Sequence, residues 1–201
     1  MTPTQIERER APLVFITGAS SGIGQALAAA YAQAGWRLAL VARRGEVVQQ
    51  WLATQGLGPD RAAVYVADVQ DTDALVAAAT RCLIEQGLPQ VVIANAGLSV
   101  GIDTAEREDL EVLKELYATN VVGMAATFHA FIRPMRLARR GTLVGVASVA
   151  AIRGLPGHGG YCGSKAAVVA YCESLRVELR ADNLRVVTLV PGFVDTPLTC
   201  G

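Results

Sequence analysis

The feature that most constrains the fold of this chain is an alternation of short, apolar, β-rich segments with longer segments of helical character. The short segments are rich in valine, leucine and isoleucine, and several are closely followed by glycine or aspartate, as strands often are. They lie at residues 13–16, 37–41, 63–67, 91–94, 142–147 and 185–190. Apolar spacing and alanine content predict helices between them, at residues 22–34, 46–55, 72–86, 109–138 and 161–180.

This order of elements predicts βαβ units with right-handed crossovers, and therefore a mostly parallel sheet with helices on both faces. Such a sheet needs a large apolar core, and 52% of the residues are hydrophobic while only 18% are charged. We therefore predict an α/β fold: one doubly wound domain over residues 1–201, with residues 1–11 as a flexible N-terminal tail. Pro134 is predicted to end or kink its helix.

The charge balance argues against two classes of partner. Lysine plus arginine equals aspartate plus glutamate, at 18 each, so no net field draws the chain to nucleic acid or to an anionic membrane.

Residues 1–10 contain no apolar stretch typical of a signal peptide. Residues 116–132 carry no formal charge but include polar side chains that are costly in lipid, so we expect a helix buried against the sheet or a second subunit. No metal-ligand spacing is present among the cysteines, and we expect a cytoplasmic protein.

The segment TGASSGIG, residues 17–24, follows the first predicted strand directly and precedes a helix. Such a junction directs backbone N–H groups and the positive end of a helix toward one point, which suits a pyrophosphate. Its spacing is G-x-x-x-G-x-G, which differs from the G-x-G-x-x-G of the standard dinucleotide fingerprint. The alternative is a tight turn without a ligand. Ser20 and Ser21 could add hydroxyl contacts to a bound phosphate.

The end of the second predicted strand distinguishes between the two nicotinamide cofactors. An NAD enzyme usually places an acidic residue there to bind the ribose 2′-hydroxyl. This sequence has Arg43 and Arg44 instead. A guanidinium matches a 2′-phosphate in charge and donor geometry, so we predict that NADPH is preferred over NADH by about ten- to a hundredfold, mainly through Arg43. The alternative is a solvated pair of surface arginines.

Tyr161 and Lys165 are four positions apart at the start of a predicted helix, so both side chains project from the same face. A phenol has an unperturbed pKa of about 10, and a nearby ammonium lowers the pKa of a phenol. Such a tyrosine can exchange a proton with a carbonyl or alcohol oxygen, which Ser148 could also hold by a hydrogen bond. Alone, a Tyr-x-x-x-Lys pair is a common pair of helical neighbours. Its order behind Ser148, Asn120, Asn95 and the glycine turn favours the catalytic interpretation.

The set of motifs resembles the short-chain dehydrogenase/reductase family. The matching segments are TGASSGIG at 17–24, the aspartate of ADV at 67–69, NAG at 95–97, Asn120 in TNVVG, Ser148, YCGSK at 161–165 and PGFVDT at 191–196. They span nearly all of the chain in the family's order. The resemblance implies a Rossmann-type fold, catalysis by Asn120, Ser148, Tyr161 and Lys165, and NADPH-dependent interconversion of a carbonyl compound and an alcohol.

The resemblance also implies how the cofactor is held. Asn120 would hold a water that links Lys165 to solvent, and Lys165 would also bind the nicotinamide ribose. Asp68 and Val69 would contact the adenine, residues 95–97 the adjoining ribose region, and residues 191–196 the nicotinamide side. The predicted NADP(H) contacts are Gly18, Ser20, Ser21, Gly22, Ile23, Gly24, Arg43, Arg44, Asp68, Val69, Asn95, Ala96, Gly97, Tyr161, Lys165, Pro191, Gly192, Val194 and Thr196.

Substrate and assembly are less constrained. Family members normally continue after the PG segment with a substrate lid, helices and a last strand, so we expect these C-terminal elements to be missing here. The pocket candidates are mostly apolar and predict a substrate with an apolar body: Leu98, Ser99, Ala150, Ile152, Leu155 and Phe193. A β-keto thioester, a bulky ketone and a small carbonyl compound all remain open. We expect a homodimer or homotetramer. The alternative function is a catalytically idle NADPH-binding regulator or redox sensor, which would need neither Tyr161 nor Lys165.

Overall fold

The computed structural model describes residues 10–195, which contain six strands and six α-helices. The strands are β1 (Leu13–Thr17), β2 (Arg37–Ala42), β3 (Ala62–Val66), β4 (Val91–Ala94), β5 (Thr142–Val146) and β6 (Arg185–Leu189). The α-helices are α1 (Gly22–Gln33), α2 (Gly45–Thr54), α3 (Thr72–Glu85), α4 (Asp109–Tyr117), α5 (Gly123–Ala138) and α6 (Gly159–Glu178). A π-helical turn (Ala118–Val122) joins α4 to α5, and short 3-10 turns lie at Val149–Ala151 and Arg180–Asp182. Most of the predicted N-terminal tail lies outside the described residues, and so does Thr196.

The strands form one sheet in the order β3-β2-β1-β4-β5-β6. Every neighbouring pair is parallel; in register, Phe15 of β1 lies opposite Ala39 of β2 and Val92 of β4. The chain moves outward in one direction from β1 to β3 and in the other from β4 to β6. Ligands of open α/β sheets bind at the carboxyl ends of the strands where this direction reverses. The predicted doubly wound, Rossmann-type fold is confirmed, and its reversal point lies between β1 and β4.

Both faces of the sheet are buried, because successive side chains of a strand point to opposite faces. Leu13 and Phe15 pack into a core with α3, α5 and α6, and the Phe15 and Phe131 ring centroids are 4.7 Å apart. Val14 and Ile16 pack into a second core with α1 and α2. This double burial explains why the strands are continuous apolar runs in the sequence.

The long helical stretch of residues 109–138 is interrupted at the π-helical turn and not at Pro134. Helix α5 continues past Pro134 to Ala138, so this proline does not end the helix, while a kink at Pro134 stays a prediction. Proline removes one backbone hydrogen bond, but Phe131 and Met135 on either side of it are fully buried and hold the last turns against the core. The uncharged segment 116–132 is likewise packed inward, through Leu116 and Phe128. Within residues 10–195 no helix is both long and apolar enough to cross a membrane.

Candidate active site

The turn between β1 and α1 lies against the segment that follows β4. Gly18 and Gly22 have φ of +69° and +54°, a left-handed conformation that glycine adopts without steric cost. A β-carbon on Gly18 would lie 2.8 Å from Ala96 Cα, so a larger residue would push the two segments apart. Thr17 Oγ1 accepts hydrogen bonds from the backbone N–H groups of Asn95 (3.1 Å) and Ala96 (3.3 Å). Asn95 Nδ2 donates to the carbonyl oxygens of Thr17 (3.1 Å) and Gly18 (3.2 Å). The turn is therefore held at fixed distance from the end of β4.

Gly24, in the first turn of α1, packs closely against this turn. A β-carbon there would collide with the carbonyl oxygen of Gly18 and with Asn95 Nδ2, and Gly24 is buried. The third glycine of the motif therefore permits close packing of α1 on the turn, and it does not line the cleft described next.

A cleft of about 280 Å³ runs along the carboxyl ends of β1 to β5. Every predicted cofactor residue within residues 10–195 lines it, apart from Gly24, and so does Ser148. Asn120 lies outside the lining, and Thr196 lies outside the described residues. The lining also includes residues that we did not predict as cofactor contacts: Val41, Ala42, Ala67, Leu98, Thr119, Val146 and Ala147. The fold thus brings together residues that are far apart in sequence and individually unremarkable.

One end of the cleft, after β2 and β3, carries an exposed ion pair. Arg43 Nη1 lies 3.6 Å from Asp68 Oδ2, and the two side chains are 64% and 38% exposed. A pair this open to water contributes at most about 1 kcal/mol to stability. Arg44 is the residue before the first turn of α2. The guanidinium of Arg43 is therefore only weakly held, and it can exchange Asp68 for another anion.

The other end of the cleft, after β5, carries a buried ammonium beside a phenol. Lys165 is 5% exposed, and its Nζ donates to the carbonyl oxygen of Val146 at 2.9 Å. Burial lowers the pKa of Lys165 to about 8. The same Nζ lies 5.8 Å from the centre of the Tyr161 ring, as the four-residue spacing on α6 predicts. Ser148 precedes the 3-10 turn after β5, and its Oγ accepts from the N–H of Ala150 at 3.2 Å.

Asn120 lies in the π-helical turn, directly behind this end of the cleft, and is 2% exposed. Its Oδ1 accepts from the N–H of Leu98 (2.8 Å), and its Nδ2 donates to the carbonyl oxygen of Leu98 (3.0 Å) and to Ser164 Oγ (2.9 Å). Ser164 Oγ in turn donates to the carbonyl oxygen of Tyr161 (2.7 Å). The side chain of Asn120 thus fixes the backbone at Leu98 and at the start of α6.

Ser164 was missed by the sequence analysis. It is fully buried, one position before Lys165. A small polar residue at a helix position that faces the core is the signal that could have identified it, because a buried hydroxyl needs a hydrogen-bond partner.

The model of the short chain dehydrogenase family matches residues 12–200. An uncharacterized oxidoreductase of Myxococcus xanthus (strain DK1622) is 40% identical over 186 residues, which cover 92% of this chain and 73% of that protein. The alcohol dehydrogenase of the archaeon Thermococcus sibiricus, solved with 5-hydroxy-NADP, has a TM-score of 0.83 and 29% identity, over 92% of this chain and 78% of that one. A short chain dehydrogenase/reductase of Burkholderia phymatum, solved with NAD, has a TM-score of 0.86 and 27% identity, over 94% and 68%. The chain is therefore an oxidoreductase that belongs to the short-chain dehydrogenase/reductase family.

Proposed function

We propose that this chain is an NADP(H)-dependent enzyme that interconverts a carbonyl compound and the corresponding alcohol by hydride transfer, with Tyr161 as general acid/base. The observation that supports this proposal is the composition of one cleft. A glycine turn lies at its centre, Arg43 at one end, and Ser148, Tyr161 and Lys165 at the other. The relatives solved with NAD and with an NADP derivative support a nicotinamide cofactor in general.

The lining of the cleft fits a dinucleotide. Gly18 and Gly22 have no side chains that would fill the cradle, and their turn leads into the N-terminus of α1, where backbone N–H groups favour phosphate. Gly97 lets Asn120 and Lys165 lie close to the segment after β4, because a β-carbon there would lie 3.2 Å from Asn120 Oδ1 and 3.3 Å from Lys165 Nζ. A bound nicotinamide would supply the hydride. Arg43, with Arg44 beside it, would hold the 2′-phosphate that distinguishes NADP from NAD.

The residues at the end of the cleft after β5 would transfer the proton to or from the substrate oxygen. Ser148 can donate a hydrogen bond to the substrate oxygen, and Tyr161 can give a proton to that oxygen or remove one from it. The ammonium of Lys165 favours negative charge on the Tyr161 oxygen as its proton leaves. Because its pKa is about 8, Lys165 can itself release and regain a proton close to neutral pH. Asn120 would keep Tyr161 in place through Ser164, and the proton relay through Asn120 remains a prediction.

The substrate proposal rests on apolar side chains near the same end. Leu98 lines the cleft. Ile152 and Phe193 are 80% and 94% exposed, and both follow cleft residues closely in sequence. An apolar side chain in the lining, together with exposed apolar side chains that follow cleft residues in sequence, favours a substrate with an apolar body. A homodimer or homotetramer also stays a prediction, which light scattering of the purified chain would check.

The test is the variant Tyr161→Phe, which removes one hydroxyl. We expect the rate of NADPH oxidation with a panel of apolar aldehydes and ketones to fall by about a hundredfold or more, since general acid–base catalysis contributes about that much. NADPH affinity, measured by calorimetry, should stay within about threefold, because the variant removes one hydroxyl and keeps the ring and all other predicted cofactor contacts. The matched control is Tyr171→Phe on the same helix, where the side chain is 37% exposed.

Unchanged turnover in Tyr161→Phe would refute the role of Tyr161. Binding of NADPH to the wild-type chain without turnover of any compound would favour the regulatory alternative.

A further inference from the structure

The loop between β3 and α3 lies directly on the π-helical turn Ala118–Val122. Gln70 Nε2 donates a hydrogen bond to Thr119 Oγ1 at 2.8 Å, and Thr119 is only 6% exposed. One residue earlier in the loop, Val69 packs against Gly123, where a β-carbon would lie 3.0 Å from Val69 Cβ, Cγ2 and carbonyl oxygen. The segment that lines the cleft after β3 therefore touches the segment that carries Asn120.

The loop is itself well fixed. Asp68 Oδ1 accepts from the N–H of Gln70 at 3.0 Å, and the carbonyl oxygen of Asp68 accepts from the N–H of Asp71 at 3.1 Å. Asp71 caps α3 by accepting from the N–H of Ala74 at 2.9 Å. The amide of Gln70 is thus presented to Thr119 from a turn with hydrogen bonds on both sides. Although Gln70 is exposed, its amide reaches a buried hydroxyl.

A π-helical turn needs support from outside the helix. It is rare and occurs mostly as a single turn within an α-helix, often at a functional site. Return to α-helical geometry would shift the following residues by one position, about 100° around the helix axis. Such a shift would move Asn120 away from Leu98 and Ser164. The hydrogen bonds of Asn120 to Leu98 and Ser164 fix the turn at Asn120. Gln70 holds the residue next to Asn120.

We propose that Gln70 is a positioning residue that keeps the π-helical turn in the geometry in which Asn120 binds Ser164 and, through it, Tyr161. The proposal rests on the proposed function. The series runs from the Arg43–Asp68 ion pair through Gln70 to Thr119, along the backbone to Asn120, and through Ser164 to the start of α6. Ion-pair, hydrogen-bond and backbone links therefore connect the two ends of the cleft in addition to the sheet.

The decisive variant is Gln70→Met, which keeps the length of the side chain and removes only its polar group. Gln50→Met, at an exposed position of α2, is the matched control. Without cofactor, we expect hydrogen–deuterium exchange of the amides of residues 118–123 to be about three- to tenfold faster in Gln70→Met and unchanged in Gln50→Met. With a carbonyl compound that the wild type reduces, kcat should fall by about three- to tenfold, while the Kd for NADPH stays within about twofold.

Variants of the acceptor separate the hydrogen bond from packing. Because Thr119 also lines the cleft, its variants are compared by hydrogen–deuterium exchange of residues 118–123 and not by kcat. Thr119→Val removes the hydroxyl and should reproduce the faster exchange, whereas Thr119→Ser keeps the hydroxyl and should exchange at the wild-type rate. The double variant Gln70→Met/Thr119→Val should exchange no faster than the faster single variant, because both remove the same bond.

Equal exchange rates in Gln70→Met and Gln50→Met would overturn the proposal, whatever the chain catalyses. So would parallel losses of kcat and of NADPH affinity, which indicate a role in binding or folding instead of positioning. If the wild type neither binds NADPH nor turns over a substrate, the proposed function fails, and the exchange measurement still decides whether Gln70 holds the turn.

Discussion

The buried ammonium of Lys165 should make the stability of the folded chain depend on pH. Its pKa falls from the ordinary 10.5 to about 8, and the cause is burial. Below about pH 8 both the folded and the unfolded chain carry the proton. Between about pH 8 and 10.5 only the unfolded chain carries it, so unfolding takes up a proton and stability rises with pH. Above that range both forms are neutral, and the dependence ends.

The size of this effect follows from the shift. Each pKa unit is worth about 1.4 kcal/mol, so the free energy of unfolding should gain about 2 kcal/mol between about pH 7 and pH 9.5 from Lys165 alone. Lys165→Met removes this gain. The variant also loses the hydrogen bond to the carbonyl oxygen of Val146, which lowers its stability at both pH values. The difference between the two chains across pH is therefore the informative quantity.

Urea unfolding followed by circular dichroism, at about pH 7 and about pH 9.5, measures this difference. Lys114→Met is the control, because Lys114 is 70% exposed and pairs with Glu111 on the same helix. From the lower to the higher pH, the free energy of unfolding of the wild type and of Lys114→Met should rise by the same amount. It should rise less in Lys165→Met. If the stabilities of wild type and Lys165→Met differ by the same amount at both pH values, Lys165 does not titrate in this range and the reasoning is refuted.

Three further variants test other parts of the molecule. Arg43→Gln should weaken NADPH binding by about ten- to a hundredfold and leave NADH within about twofold, as measured by calorimetry; a larger loss in Arg44→Gln would contradict the choice of Arg43. Gly24→Ala should lower the free energy of unfolding by about 1–3 kcal/mol in urea, because its methyl group collides with Gly18 and Asn95. Pro134→Ala should raise the melting temperature, since it restores an N–H group inside α5; a lower melting temperature would contradict this.

The strands could be predicted to within one residue because each is a local apolar run buried on both faces. The break in the helical stretch 109–138 could not. The π-helical turn is held by Gln70 from 49 positions away and by Leu98 from 22 positions away. No local pattern encodes such contacts, whereas Pro134 is a strong local signal that the buried side chains around it override. The sequence also predicts the start of α6 two residues too late, because Gly159 and Gly160 do not favour a helix.

Gly160 shows why that start could not be predicted from propensity. A β-carbon there would lie 2.9 Å from Leu113 Cδ1 and 3.0 Å from Leu116 Cδ1, so a residue with better helix propensity would displace these leucine side chains of α4. In the cleft, Arg43, Ser148, Tyr161 and Lys165 could be selected from their order and chemistry. Asn120 was selected only by resemblance, because its hydrogen bonds reach residues that a one-dimensional pattern does not bring near it.

The two ends of the cleft use charge in opposite ways, and burial explains the difference. Lys165 is 5% exposed, so its charge is costly to bury and its protonation responds to small changes around it. The Arg43 side chain is 64% exposed, so its charge is screened and its ion pair with Asp68 is weak. A group that exchanges protons benefits from a pKa close to neutral pH, whereas an exposed guanidinium in a weak ion pair can bind another anion in place of its partner. Substitutions at Arg43 should therefore change the choice of cofactor with little change in stability, while those at Lys165 should change both catalysis and stability.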